Sequence, residues 1–269
     1  MGILNITPDS FFDKGAYFSI DAALQRALEI CADGADLLDV GGESSRPGSI
    51  PVSDEEELRR VIPLIEALFE KISVPISIDS YKPEVVRQAV EKGAWLINDI
   101  TGFQNPLMRE IAASSKADLC LMHMQGTPQT MQINPTYGEG VITHILRFFE
   151  TQIELLMREG IDRKRIILDP GIGFGKTLEH NLMILNSIGQ FKSFGLRVLI
   201  GASRKSFMTK ILGKPPKELL PATLAIHTMS MLSGANLIRV HDIKEHRDAI
   251  DVLLPLMNHS QSLQTLSCN

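Results

Sequence analysis

Acids and an amide close short apolar runs at Asp79, Asn98 and Asp169, while bases gather behind other such runs at Arg46, Lys205, Arg239 and His241. A carboxylate accepts paired N–H donors, so these groups around a slot could read a flat, amine-bearing heterocycle, with Lys205 donating to its carbonyl. The arginine and histidine set suits a phosphate or diphosphate, and Asn5 offers a neutral oxygen to a Mg2+ that keeps most of its waters. Taken singly each residue has a plainer role: a strand-end Asp caps the next helix, a His makes a structural hydrogen bond, an Arg pairs on the surface. Only their convergence on one rim separates the two readings, and that depends on the elements that carry them.

The stretch IILDPGIGFGKT, Ile166 to Thr177, shows the repeating unit. Ile166 to Leu168 lack polar alternation, as expected of a parallel strand buried on both faces, so Asp169 falls at its carboxyl end. Pro170 and the glycines at 171, 173 and 175 then form an open turn before a helix. A nucleotide P-loop is excluded, because GxxxxGK[ST] would need glycine where Pro170 stands. The dinucleotide pattern GxGxxG is absent as well.

Similar runs occur at Ile3 to Ile6, Leu37 to Val40, Ile76 to Ile78, Trp95 to Ile97, Leu119 to Met122, Val198 to Ile200 and Leu237 to Val240. Amphipathic stretches alternate with them: Ala22 to Ala32, Asp54 to Lys71, Glu84 to Lys92, Leu107 to Ser115, Gly140 to Glu159, Leu178 to Lys192, Lys217 to Leu232 and Lys244 to Met257. In the second of these, Ser53 and Glu56 predict a capping box, Pro63 a kink, and Leu58, Val61, Ile62, Ile65, Leu68 and Phe69 a buried face. Gly34, Gly93, Gly160 and Gly234 each precede an apolar residue, as at left-handed helix C-caps. The alternation predicts a single (β/α)8 TIM barrel over residues 1–258, with its ligand site at the carboxyl ends of the strands, and a polar, frayed tail over 259–269.

At 269 residues the chain has the length of one such barrel, and its 44% hydrophobic and 22% charged residues are those of a globular protein. A net charge of −5 argues against a general nucleic-acid surface. No apolar run approaches a membrane span and the start has no basic leader, so a cytoplasmic protein is expected. Cys31, Cys120 and Cys268 lie far apart without a CxxC, which predicts reduced, structural thiols.

Several stretches together resemble the dihydropteroate synthase family of folate biosynthesis: NITPDSF (Asn5 to Phe11), GGESSRPGS (Gly41 to Ser49), INDI (Ile97 to Ile100), LMHMQGTP (Leu121 to Pro128), LDPGIGFGK (Leu168 to Lys176), SRKS (Ser203 to Ser206) and RVHD (Arg239 to Asp242). The resemblance runs from Gly2 to about Met257. It implies condensation of 6-hydroxymethyl-7,8-dihydropterin diphosphate with 4-aminobenzoate, giving 7,8-dihydropteroate and diphosphate, with Mg2+ at Asn5. By motif it assigns the pterin to Asp79, Asn98, Met122, Asp169, Gly201 and Lys205. The diphosphate falls to Asn5, Ser45, Arg46, Arg239 and His241. Phe11, Ser45, Pro47, Phe174, Lys205 and Ser206 would line the aminobenzoate site, which sulfonamides also occupy. The catalytic set would be Asn5, Arg46, Asp79, Asp169, Lys205, Arg239 and His241. Mobile loops at Thr7 to Phe18 and Glu43 to Val52 and a homodimer, with Met229, Met231, Leu253, Leu256 and Met257 as interface candidates, are further implications.

Two departures stand out: Ser45 and Ser80 occupy positions where most relatives carry threonine. Relatives also have a lead-in before the first strand, so trimming, or a fused polypeptide with hydroxymethyldihydropterin diphosphokinase upstream, is expected. A barrel transferring a methyl group from methyltetrahydrofolate would share the strand-end acid and amide but not need the arginines or SRKS. A catalytically silent pterin-binding homologue would show damage at Arg46, Lys205 or His241, which are intact. A Schiff-base role for Lys205 would want an apolar pocket rather than an anion site.

Overall fold

All eight apolar runs form strands, and they pair in parallel. The computed structural model describes residues 1–7, 12–13, 17–18 and 20–266, with side chains described in 1–7 and 20–258. The barrel strands are β1 (Gly2–Asn5), β4 (Leu38–Gly41), β5 (Ile76–Asp79), β6 (Leu96–Asp99), β7 (Asp118–Met122), β8 (Ile166–Asp169), β9 (Arg197–Ile200) and β10 (Leu237–Ile238). They lie in chain order in one 8-stranded sheet. The sheet closes on itself where Gly2 bridges Val240 and the Ile3 N–H donates to the Val240 carbonyl at 3.0 Å. Between β1 and β4, Phe12–Asp13 (β2) and Tyr17–Phe18 (β3) make a small antiparallel pair within the stretch expected as a loop.

Helices α1 (Ile20–Ala32), α2 (Asp54–Phe69), α3 (Pro83–Glu91), α4 (Pro106–Ser114), α5 (Val141–Arg158), α6 (Leu178–Asn186), α7 (Ile188–Phe191), α8 (Ser206–Leu212), α9 (Leu220–Leu232) and α10 (Ile243–Leu266) connect the strands. Gly93 ends α3 at φ +100°, and the Ala94 N–H returns to the Ala89 carbonyl at 2.9 Å; Gly34, Gly160 and Gly234 end α1, α5 and α9 in the same way. None of the helices is long and apolar enough to cross a membrane, among the described residues.

Some local expectations fail for physical reasons. Ser53 caps α2 by accepting from the Glu56 N–H, but the Glu56 carboxylate turns to Arg59 and Arg60, so only half of the box forms. Phe69 is 64% exposed rather than in the core, with its ring laid over the bare backbone of Gly93. The stretch from Leu178 breaks at Ser187 into α6 and α7. Ser206–Leu212 is a helix that short length hides behind the basic loop before it. The last helix continues to Leu266, inside the stretch expected as a frayed tail.

The side-chain period of two along a strand then places the polar residues. Leu38, Val40, Ile76, Ile78, Ile97, Leu119, Leu121, Ile166, Leu168 and Val198 join the large cluster under the helices. Met1, Leu37, Leu96, Cys120, Ile167 and Leu199 form a separate cluster that fills the barrel. Two residues further along each strand, the next inward positions are Asp39, Asn98, Met122, Asp169, Gly201 and Arg239, joined by Asn5 and Asp79. The polar rim is therefore one layer of side chains resting on an apolar plug.

Candidate active site

Above that layer opens a cavity of about 460 Å³, lined among others by Asn5, Ser45, Arg46, Pro47, Phe174, Gly201, Lys205, Ser206, Arg239 and His241. Asp79, Asn98, Met122 and Asp169 lie at the strand ends in register, Asp79 beside Asn98 and Met122 beside Asp169. The expected residues are thus brought together, those of the heterocycle slot below and those of the anion and mouth above. Phe11 lies outside the described residues.

Arg239 joins the two levels. Its Nε donates to Asp39 Oδ2 at 2.5 Å and its Nη2 to Asp79 Oδ2 at 2.5 Å. Asp39 is fully buried and also accepts from Asn98 Nδ2 at 3.3 Å. It was missing from the expected site: it faces inward from the second position of β4, opposite Ser77, two residues short of the strand end that Asp79 occupies on β5. One guanidinium thus lines the cavity and bonds to both acids.

Burial sets the charge states. It raises Asp79 to about 7, Arg239 opposing it and Asp39 adding to it. Burial likewise raises Asp169, while the Gly171 N–H donates to its Oδ1 at 2.7 Å and works against the rise. Lys205 is lowered to about 8 by burial and then by Arg239, with Asp169 and Asp79 holding it up. Burial would also lower Arg239, but Asp39 and Asp79 outweigh it and keep the guanidinium charged.

His241 differs from the expected cation. Burial, then Arg239 and Arg204, lower it to about 3, so the ring is neutral. Ser203 Oγ accepts from the His241 backbone N–H at 3.2 Å and lies 3.0 Å from Nδ1, so the hydroxyl holds the ring against the loop after β9. His241 offers a neutral ring.

The glycine turn after β8 is fixed from beneath. A Cβ on Gly171 (φ +70°) would lie 2.0 Å from the His123 carbonyl oxygen, and one on Gly175 (φ +65°) 2.5 Å from that of Gln125. Only glycine fits at either. Lys176, buried, donates to His123 Nδ1 at 3.0 Å, the His123 carbonyl at 3.1 Å and the Phe174 carbonyl at 2.8 Å. Those bonds hold Phe174 where Lys205 Nζ stands 4.1 Å above its ring. On the far side, Gly48 donates to the Pro128 carbonyl and Gln129 to that of Ser49, so the loop carrying Arg46 rests on the loop after β7.

Neighbouring polar residues make local bonds. Asp99 accepts from Thr101 and Phe103 and closes a turn, and the Ser80 hydroxyl accepts from the Lys82 N–H. Leu253, an interface candidate, is buried within the chain, and Met231 packs on the core, whereas Met229 and Leu256 are exposed.

The family model described as pterin binding enzyme matches residues 1–241. Dihydropteroate synthase of Escherichia coli K12 is 46% identical over 253 residues, 94% of this chain and 89% of that protein. A Schizosaccharomyces pombe folic acid synthesis protein is 43% identical over 254 residues, 91% of this chain but 34% of that longer protein. Among solved structures, a Yersinia pestis dihydropteroate synthase in a sulfonamide drug complex superposes with a TM-score of 0.90 at 43% identity, covering 96% of this chain and 93% of that one. A Burkholderia cenocepacia dihydropteroate synthase complexed with 7,8-dihydropteroate gives 0.86 at 41%, covering 97% and 92%.

Proposed function

The chain belongs to the pterin binding enzyme family and, within it, to the dihydropteroate synthases, and from that premise we propose how its rim makes 7,8-dihydropteroate. The observation that carries the assignment of roles is that Arg46, Lys205, Arg239 and His241 line one cavity and Arg239 reaches from it to the strand-end acid Asp79.

The pterin of 6-hydroxymethyl-7,8-dihydropterin diphosphate lies edge-on to Asp79, Asn98 and Asp169, which accept from its amine and ring N–H groups, and Lys205 donates to its carbonyl. Met122 and Gly201 give it flat, unhindered contact. The diphosphate extends toward Arg46, Arg239, Ser45 and the neutral ring of His241. 4-Aminobenzoate enters between Phe174, Pro47, Ser45, Ser206 and the stem of Lys205, and Phe11 is assigned to the same site. As the C–O bond breaks, its electron pair leaves on the diphosphate, and positive charge spreads into the pterin. The arginines then gain most in the transition state, and the carboxylates offset the growing cation. The aminobenzoate nitrogen uses its lone pair on the exocyclic methylene and afterwards loses a proton.

Mg2+ fits the donors present. Asn5 brings one neutral oxygen to the cavity wall, and no group of three or more His, Cys, Asp or Glu gathers as a metal cage among the described residues. That suits a hard ion held by one protein oxygen, waters and diphosphate oxygens. Bound there, it would neutralise charge on the leaving group.

Sulfonamides, which share the aminobenzoate's flat ring, take its place between Phe174 and Pro47. The chain is cytoplasmic and pairs as a homodimer through the outer faces of α9 and α10, where Met229, Leu232 and Leu256 are exposed. Light scattering of the purified protein checks the pairing, a monomer mass overturning it. Roles within the rim separate by calorimetry: Asp169→Asn weakens pterin binding and Arg46→Ala weakens diphosphate binding. Equal losses of both ligands in either variant would remove the division.

A further inference from the structure

Helix α9 sets polar side chains among the apolar ones on the face it turns to the barrel. Thr223, His227 and Ser230 are its buried residues, while Met229 and Leu232 point outward. Buried polar groups cost free energy unless hydrogen-bonded, so each needs a partner. Ser230 returns its hydroxyl to the Ile226 carbonyl within the helix. Thr223 and His227 reach across instead, to the backbone after β9. The Arg204 N–H donates to Thr223 Oγ1 at 3.3 Å, and the Ala202 N–H to His227 Nε2 at 3.1 Å.

The second bond fixes a direction. With Nε2 accepting, a neutral His227 carries its proton on Nδ1, which lies 2.9 Å from His246 Nε2. His246 Nε2 must then accept, which leaves its proton on Nδ1, 2.5 Å from the Asp242 carbonyl. Every donor meets an acceptor only if both rings are neutral Nδ1–H tautomers. Both rings are at most 2% exposed, and burial, followed by the neighbouring imidazole, lowers His227 to about 3.

The run ends where the site begins. Asp242 pairs through its carboxylate with Arg204, whose Nε donates at 3.1 Å, and Arg204 lies two residues beyond Ala202. A closed circuit of side-chain bonds thus fastens the loop holding Lys205 to the loop holding Arg239 and His241. We propose that His227 and His246 form a one-way hydrogen-bond relay that sets these two loops against each other, making them positioning residues for the dihydropterin diphosphate. The proposal rests on the synthase roles given above. Lys205 grips the pterin end of that substrate and Arg239 with His241 its diphosphate end, so a change in loop spacing loosens the joint grip more than either end alone.

The test has two arms, both on the full chain. Two-bond 1H–15N imidazole spectra of the 15N-labelled protein, assigned with His227→Leu and His246→Leu, should show protonated Nδ1 and bare Nε2 on both rings; an Nε2–H tautomer on either would overturn the relay. Calorimetry should then compare dihydropterin diphosphate with the corresponding dihydropterin alcohol. In His227→Leu the preference for the diphosphate should fall about tenfold while the alcohol binds as before, and His227→Gln, which keeps an acceptor for Ala202, should restore most of it. Equal weakening of both ligands, or no change, would overturn the positioning role. Should the leucine variants fail to fold, His227→Gln and His246→Gln assign the resonances and the wild-type tautomers decide, an Nε2–H on either ring overturning the proposal. A wild-type chain that makes no dihydropteroate would count against the synthase roles, not the relay.

Discussion

Replacing Arg239 by alanine removes a donor from the leaving group and a cation from between two buried acids. The first loss is typically worth about 3 kcal/mol at a desolvated site, or about a hundredfold in rate. The second strands Asp39, fully buried, and Asp79, whose side chain is 10% exposed. Breaking a buried pair by deleting one partner costs about 3–5 kcal/mol of stability. Asp79 can relieve part of that by taking up a proton, since burial already holds it at about 7 and Arg239 is what restrains a further rise. Without the arginine its native value moves higher. The folded variant then keeps a proton that the unfolded chain has released above the ordinary carboxylate range, so its stability falls as pH rises through neutrality. Turnover of Arg239→Ala, followed as diphosphate release at saturating substrates, should drop about a hundredfold. Thermal melts should show a deficit against wild type that is larger at pH 8 than at pH 6. Unchanged turnover would place the leaving group elsewhere, and a larger deficit at pH 6 would show that Asp79 is not the acid coupled to Arg239.

The pH profile of kcat/KM for the pterin substrate should be bell-shaped, falling below about 7 as Asp79 takes a proton and above about 8 as Lys205 loses one. A flat profile from pH 6 to 9, or an alkaline limb that persists in Lys205→Arg, would contradict those assignments. Gly171→Ala must drive a methyl into the His123 carbonyl oxygen at 2.0 Å, and should cost several kcal/mol, of order 3 or more, in denaturant melts, with loss of aminobenzoate binding; wild-type stability would show that the turn can shift freely. Ser45→Thr restores a methyl beside the aminobenzoate and should tighten sulfonamide binding by at most ~1 kcal/mol, an unchanged inhibition constant refuting the contact.

The strands were the most legible part of the sequence because a parallel strand covered on both faces admits few polar residues, so each run announced itself and its polar end marked the rim. Asp79, Asn98 and Asp169 could be read from that rule alone. Asp39 does not follow that rule, since it lies inside its run, and its partners Arg239 and Asn98 lie far off in sequence, so that only barrel closure brings them near. The neutrality of His241 was hidden for the same reason, being decided by burial and by Arg239 and Arg204 from other elements. The hairpin of β2 and β3 and the helix at Ser206–Leu212 are too short to show a period, and the latter begins inside the motif that also carries Lys205. In α9 the apolar count suggested an ordinary amphipathic helix; which face turned inward depended on Ala202 and Arg204 needing acceptors, a demand that no local pattern expresses.

Diphosphate release by the purified protein with Mg2+, the dihydropterin diphosphate and labelled 4-aminobenzoate tests the central claim most directly. Release that requires aminobenzoate and equals labelled dihydropteroate one for one is the predicted result. Tight pterin binding without turnover, or diphosphate release indifferent to aminobenzoate, would contradict it.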